Sequence, residues 1–375
     1  MLLLIPGPVS TRPEIRAAMA QDFAPWDNDF RPRIAALRER LLRLAGGTDA
    51  SHAVLPLQGC GHFATEAALR SFVPPGGRIL VAMTGAYADR MARLAREAGR
   101  VVVELPVPSG EAVSPAAVAA ALAADAGIGH VGLVYSETST GIIHDPVAIG
   151  AAVRGAGRRL ILDAVSAFAA LPLDVAAQPE LDVAVFTANK CLEAMPGLAF
   201  AITRNERALA CAGQAGSWSL DLCDIYAHSL RQGFGTFRFT PPAQVIAAAT
   251  AALDLLDAEG SRPARLARYG ANATALYDGM LAIGLQPYLP RKLQGPIVMN
   301  VHAPDDAAWD LQGFVDALKR RGFLISNFFD TPSPSFRVGC IGAVTPADMA
   351  RFATAADAAL AELGIANRAP SRAAA

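Results

Sequence analysis

Apolar residues in this chain fall into short, uninterrupted runs separated by longer stretches in which they recur every three or four positions. The runs "RILVAMTG" (78–85), "VVVELPV" (101–107), "HVGLVYSE" (130–137), "RLILDAVS" (159–166) and "LDVAVFTA" (181–188) predict strands. Between them, "YADRMARLAREAG" and "DPVAIGAAVRGAG" predict helices, each closed by a glycine suited to a C-cap. Strands that are apolar on both faces and alternate with helices predict an α/β fold with a mainly parallel sheet covered on both sides.

The pattern changes after "FRFTPPAQ" (237–244). A long Ala/Leu-rich helix is expected from about 243 to 258, followed by "ARLARYGANATALYDGMLAIG", the shorter strand-like pieces "PIVMNVHAP" and "GFLISNFF", and a last helix within 346–363. This reads as a smaller α+β unit. The final "ANRAPSRAAA" has no periodicity and is expected to be frayed.

Composition narrows the partners. Of 375 residues, 53% are hydrophobic and 18% charged, with a formal net charge of -1, so no electrostatic footprint for nucleic acid or an anionic membrane is expected. A small molecule or a second copy of the chain is the expected partner. Cys60, Cys191, Cys211, Cys223 and Cys340 are scattered and form no CxxC pair, which argues against a disulfide framework or a zinc site. The opening "MLLLIPGPVSTRPEI" is too short in its apolar part for a signal peptide or a membrane span, so a cytoplasmic protein without a metal is expected.

Ligands of open parallel sheets sit at the carboxyl ends of the strands. There the sequence delivers Ser136, Glu137, Thr138 and Ser139, then Asp163 and Ser166, then Thr187, Asn189 and Lys190. Upstream, "AVLPLQGCGHFATEAALR" runs from a strand through Gly59-Cys60-Gly61 into a helix starting near His62, a ready cradle for a phosphate. "GCGHFA" also fits a dinucleotide fingerprint, but "RILVAMTGAY" lacks the acidic residue that would hold the ribose. Taken singly, Asp163 suits a helix cap and Lys190 a snorkelling surface lysine. Together with the glycine loop they match the needs of pyridoxal 5'-phosphate: an anion cradle, a carboxylate for the pyridinium nitrogen, and an amine for the aldehyde.

At this point the sequence resembles the class V aminotransferases of the fold-type-I pyridoxal-phosphate enzymes. The likeness runs from "IPGPVSTRPEI" and "WDNDF" through "LQGCGHFATEAAL", "TGAYADRM", "SETSTGIIHDP", "LDAVSAF", "TANKCLEAMPGLAF" and "FRFTPPAQ" to "FRVGCIG". It implies a PLP-transferase fold type I: a large cofactor domain (15–245) with a mainly parallel seven-stranded sheet sandwiched by helices, and a small α+β domain (246–365). A segment 1–14 is expected against the small domain, and a flexible tail over 366–375. By the same resemblance Lys190 is the Schiff-base lysine and Asp163 the pyridinium partner. Cys60, Gly61 and His62 match the phosphate-binding triplet, Tyr87 the aromatic stacked on the ring, and Thr138 and Ser139 the residues near its phenolic side. Thr240 matches a threonine that reaches the phosphate of the neighbouring subunit, which implies a homodimer with its active site at the interface. Arg337 resembles the arginine that grips the substrate's carboxylate.

"WDNDF", "SETSTG" and "ANKCLEAMPG" tilt the expectation toward an aminophosphonate donor with pyruvate as the 2-oxo acid acceptor. The alternative is alanine or serine with glyoxylate or pyruvate, which a histidine at His62 favours. Three departures fall near the substrate: Cys60 and His62 replace common hydroxyls, "ISNFFDTPSPS" stands where Tyr-Pro-Gly-Lys is usual, and Cys340 stands where asparagine is common.

Overall fold

The computed structural model describes residues 1–370. The chain opens with a short strand, β1 (Leu2–Leu3), and two helices, α1 (Pro13–Ala17) and α2 (Arg31–Leu44). Strands and helices then alternate through β2 (His52–Gly59), α3 (Gly61–Phe72), β3 (Arg78–Met83), α4 (Ala86–Glu97), β4 (Val101–Pro106), α5 (Pro115–Ala124), β5 (Ile128–Val134), α6 (Pro146–Gly155) and β6 (Arg159–Asp163). After β7 (Leu181–Thr187) and β8 (Gly197–Arg204) come the helices α7 (Asn205–Ala210), α8 (Leu222–Gln232), α9 (Ala243–Glu259) and α10 (Ser261–Ala282). The chain ends through β9 (Val298–His302), α11 (Leu311–Arg320), β10 (Phe323–Leu324), β11 (Ser335–Gly339) and α12 (Pro346–Glu362).

Seven strands form one sheet in the order β2-β8-β7-β6-β5-β3-β4, in which β8 alone runs against the rest. This is the expected mainly parallel α/β sheet. Its uninterrupted apolar strands are explained by burial on both faces. Leu160, Leu162, Ala184 and Phe186 point into one core, and Ile161, Val183 and Val185 into the other. Each predicted strand stops one to three residues short of the end of its run. Pro146 at the first position of α6, with the Asp145 carboxylate accepting from the Val147 N–H at 2.9 Å, starts that helix as the sequence predicts.

A third core gathers Leu4, Leu276, Met299, Val301, Phe336, Val338, Phe352 and Leu360 around the antiparallel pair β9–β11. The chain's first residues join it: β1 pairs in parallel with β10, Leu2 opposite Phe323.

The expected boundary at residue 245 falls at the start of α9, whose Ile246, Ala249, Leu253 and Leu256 are buried in a core of the large sheet. Within α10, Tyr269 belongs to that core, while Leu276 and Met280 belong to the core of the β9–β11 pair. The expected loose tail begins with an anchored stretch: the N–H groups of Ala366 and Asn367 both donate to Asp306 Oδ2 at 2.9 Å, and Arg368 donates to Ile283 O at 2.7 Å. The rest of that tail, from 371, lies outside the described residues.

α10 also grips the turn after β7. The Glu193 carboxylate accepts from Tyr269 Oη at 2.6 Å and from Arg268 Nη2 at 2.7 Å, while Arg265 Nη1 donates to Cys191 O at 2.8 Å. Glu193 is buried with φ 60°, a left-handed conformation that a non-glycine residue holds only under constraint from its surroundings. Glu193→Ala leaves buried guanidiniums underpaired and is expected to destabilise the fold by about 3 kcal/mol, measured by chemical denaturation; an unchanged midpoint would remove the clamp from the account.

Candidate active site

Because β2, β3, β5, β6 and β7 are parallel, their carboxyl ends open on one edge of the sheet. A cleft of about 160 Å³ lies there, lined by Cys60, Gly61 and His62 from the start of α3, Tyr87 from α4, Asp163 from the end of β6, and Lys190 from the turn after β7. With Thr187 and Asn189, which line it too, eight of the residues singled out in the sequence are brought together.

Lys190 is only 8% exposed, and its amine donates to Pro6 O at 2.7 Å. Burial, aided by the Arg337 and Arg90 guanidiniums, pushes its pKa down to about 8. The segment Ile5–Gly7 thus roofs the lysine. Gly7 sits at φ 143°, and a Cβ there would lie 2.5 Å from Lys190 Cδ and 2.9 Å from its Nζ. Only glycine lets the roof come this close.

Asp163 is equally buried. Its carboxylate accepts from the Val165 N–H at 2.9 Å and from Thr65 Oγ1 at 3.2 Å. Among the described residues it forms no ion pair, and burial pushes its pKa up to about 6 despite those two donors. At the start of α3, the N–H groups of Gly61 and His62 donate to no described residue, leaving the positive end of the helix open to the cleft. Gly61 packs under Val165 so closely that a Cβ would lie 2.6 Å from Val165 Cγ2.

Thr138 and Ser139 are fully buried and do not line this cleft. Thr138 Oγ1 shares a hydrogen bond with Ser166 Oγ at 3.0 Å, and Ser139 Oγ donates to Glu137 Oε1 at 2.6 Å. The Glu137 carboxylate also accepts from Thr84 Oγ1 and from the Tyr87 and Ala88 N–H groups, so it caps α4 and sets the pose of Tyr87. Burial raises the Glu137 pKa. Thr240 stands apart, in a separate hollow with Trp26, Arg31 and Phe239.

A wider cleft adjoins the first and shares Tyr87 and Arg90 with it. Arg337 lines it, 2% exposed, with Nη1 donating to Asp330 Oδ2 at 2.8 Å, Nε donating to Ser326 Oγ at 3.2 Å, and its guanidinium 4.2 Å from the centre of the Phe328 ring. Arg90 lies 4.7 Å over the Tyr87 ring and forms no ion pair among the described residues. Sequence reasoning assigned no role to Pro6, Gly7, Thr65 or Arg90. The Pro-Gly-Pro opening and the Arg90 side chain one helical turn after Tyr87 were the available signals.

The profile of the family described as aminotransferase class-V matches residues 27–319. A 2-aminoethylphosphonate–pyruvate transaminase from Burkholderia ambifaria is 43% identical over 365 residues, covering 97% of both chains. One from Pseudomonas fluorescens is 41% identical, covering 97% of this chain and 98% of its own. Among solved structures, the pyridoxamine–pyruvate aminotransferase of Mesorhizobium loti superposes with a TM-score of 0.88 at 26% identity, over 97% of this chain and 93% of that one. The subgroup IV aspartate aminotransferase of Thermus thermophilus gives 0.84 at 27% identity, over 97% and 100%.

Two outcomes follow from the lysine's setting. Reductive labelling with a small aldehyde and borohydride should rise with pH through a midpoint near 8 at Lys190, because the neutral amine dominates above the lowered pKa; a midpoint near the ordinary ~10.5 would contradict its burial. Gly7→Ala should push the amine aside and lower turnover roughly a hundredfold, with wild-type far-ultraviolet circular dichroism as the control for folding.

Proposed function

The chain belongs to the class-V aminotransferase family, and we propose that it carries the amino group of 2-aminoethylphosphonate to pyruvate, giving phosphonoacetaldehyde and L-alanine. The observation that carries this reading is the pairing of a buried, deprotonatable Lys190 with a buried, unpaired Asp163 in one cleft, beside two guanidiniums. Relatives that bear this activity in their names, 41–43% identical over nearly the whole chain, support the donor and acceptor.

The cleft fits pyridoxal 5'-phosphate. Asp163 is a buried carboxylate without a cation, which a protonated ring nitrogen would supply. The free N–H groups of Gly61 and His62, with the side chains of Cys60 and His62, suit the phosphate. Tyr87 would lie against the ring, and Lys190 would bond the aldehyde. Thr138 would act from behind, through Ser166, and Ser139 through Glu137. Bound there, the cofactor would supply an electron sink for the carbon that carries the transferred amine.

The chain's own groups would do the rest. Arg337 would bind the substrate's acid group, with Arg90 as a second cation for a phosphonate. The Lys190 amine would take and return the proton at the amine-bearing carbon, a role that needs a pKa near neutrality. The roof of Ile5–Gly7 would keep bulk water from that amine. Thr240 would serve a partner's phosphate in a homodimer. In support, Thr240 is exposed beside Trp26, 64% exposed, and near Phe239, which packs edge-on to Trp218, itself 71% exposed. Five free cysteines suit a reducing cytoplasm, and among the described residues no helix is long and apolar enough to cross a membrane.

A second reading, alanine or serine with glyoxylate, is favoured by the absence of a lysine from the 326–331 segment at Arg337. A screen of amino donors against pyruvate and glyoxylate decides between them. The aminophosphonate with pyruvate is expected to exceed every other pair in kcat/KM by at least about tenfold. Strong serine–glyoxylate turnover with none of the aminophosphonate would overturn the donor, and a colourless protein indifferent to added pyridoxal phosphate would overturn the cofactor.

A further inference from the structure

Arg337 is a nearly fully buried cation whose partner comes from its own chain. Asp330, with a side chain 21% exposed, holds Nη1 at 2.8 Å. Leaving a buried guanidinium without an anion costs several kcal/mol, roughly 3–5. A substrate acid group that takes Arg337 two-pronged, through Nη1 and Nη2, competes with Asp330 for Nη1.

The surroundings suit such an exchange. Arg337 stands directly opposite Asn300 in the β9–β11 register, so the two side chains share one face of the pair; the alternating Met299, Val301, Phe336 and Val338 fill the core on the other. Asn300 is fully buried, yet neither atom of its amide has a hydrogen-bond partner among the described residues. Arg90, unpaired, lines the same cleft, as do Lys319 and Asp316.

We propose that Asp330 is a specificity-determining residue of the acid subsite, a built-in counter-ion on Arg337 that the acid group of substrate displaces. This rests on the transaminase reading above. For a carboxylate the exchange on Arg337 is one negative charge for another, with little electrostatic gain. A phosphonate dianion carries an additional charge that Arg90 can meet, so competition from Asp330 weakens a carboxylate more than a phosphonate.

The test uses the holoenzyme and two inert acids, propionate and ethylphosphonate, as competitive inhibitors of whichever donor–acceptor pair it turns over best. Asp330→Asn removes the competitor, so both inhibition constants should fall by about five- to tenfold, propionate the more because the competition weakens a carboxylate more. Asp330→Glu keeps the charge and should stay within about twofold of wild type. Saturating ethylphosphonate should raise the melting temperature of Asp330→Asn by more than that of wild type, which has to release Asp330 in exchange; a purely structural Asp330 would leave the two rises equal. Inhibition constants that rise or stay unchanged in Asp330→Asn, or equal melting rises in the two proteins, would overturn the proposal. Since neither acid is a donor, an enzyme that rejects the aminophosphonate but responds this way would fail only the donor assignment.

Discussion

Keeping one amine out of water is the constraint around which this structure is organised. Lys190 has lost most of its hydration, and what it receives in exchange is a single carbonyl, Pro6 O, and no carboxylate in hydrogen-bond contact. That deficit lowers its proton affinity. It also means that every neighbour must be held firmly, because a loosened pocket would let water restore the ordinary ammonium. The turn after β7 is gripped by α10 through Glu193 and Arg265, and the roof is closed by a glycine that admits the lysine stem. Asp163 is the mirror case, a carboxylate deprived of water and given two donors but no cation. Each is a mismatch that a ligand of opposite character would relieve.

Much of this was legible in the sequence, for identifiable reasons. Uninterrupted apolar runs can only be strands covered twice, so the parallel sheet and its order of elements followed from them. Asp163 and Lys190 stood out because charged residues at the ends of such runs need a reason to be there. Direction was not legible. Ser139 and Thr138 sit where a strand ends, but whether they face the cleft or its backing depends on local twist, and Glu137 turns Ser139 inward. Nor could an Ala-rich helix such as α9 declare which core it serves, since small apolar residues on every side mark no single buried face.

Long-range partners were the other gap. Pro6 meets Lys190, Glu193 meets Arg268, and Asp330 meets Arg337 only after the chain has folded back on itself. The last of these changes the meaning of a residue that the sequence presents as free to bind substrate. An arginine in "FRVG" looks like an open two-pronged cation; in the fold it is already engaged, and the departure at 326–335 is the segment that engages it. Similarity to transaminases over nearly the full chain fixes the family, while this contact shapes its substrate end.

The roof over the lysine also depends on a distant part of the chain. β1, just before the roof, is held by Phe323 and Leu324 of β10, far along the chain. A fold that has completed the seven-stranded sheet but not the β1–β10 pair therefore lacks the roof over Lys190. The setting of the amine is completed by the small unit, so loosening that unit would expose the amine while the sheet that carries it stays whole.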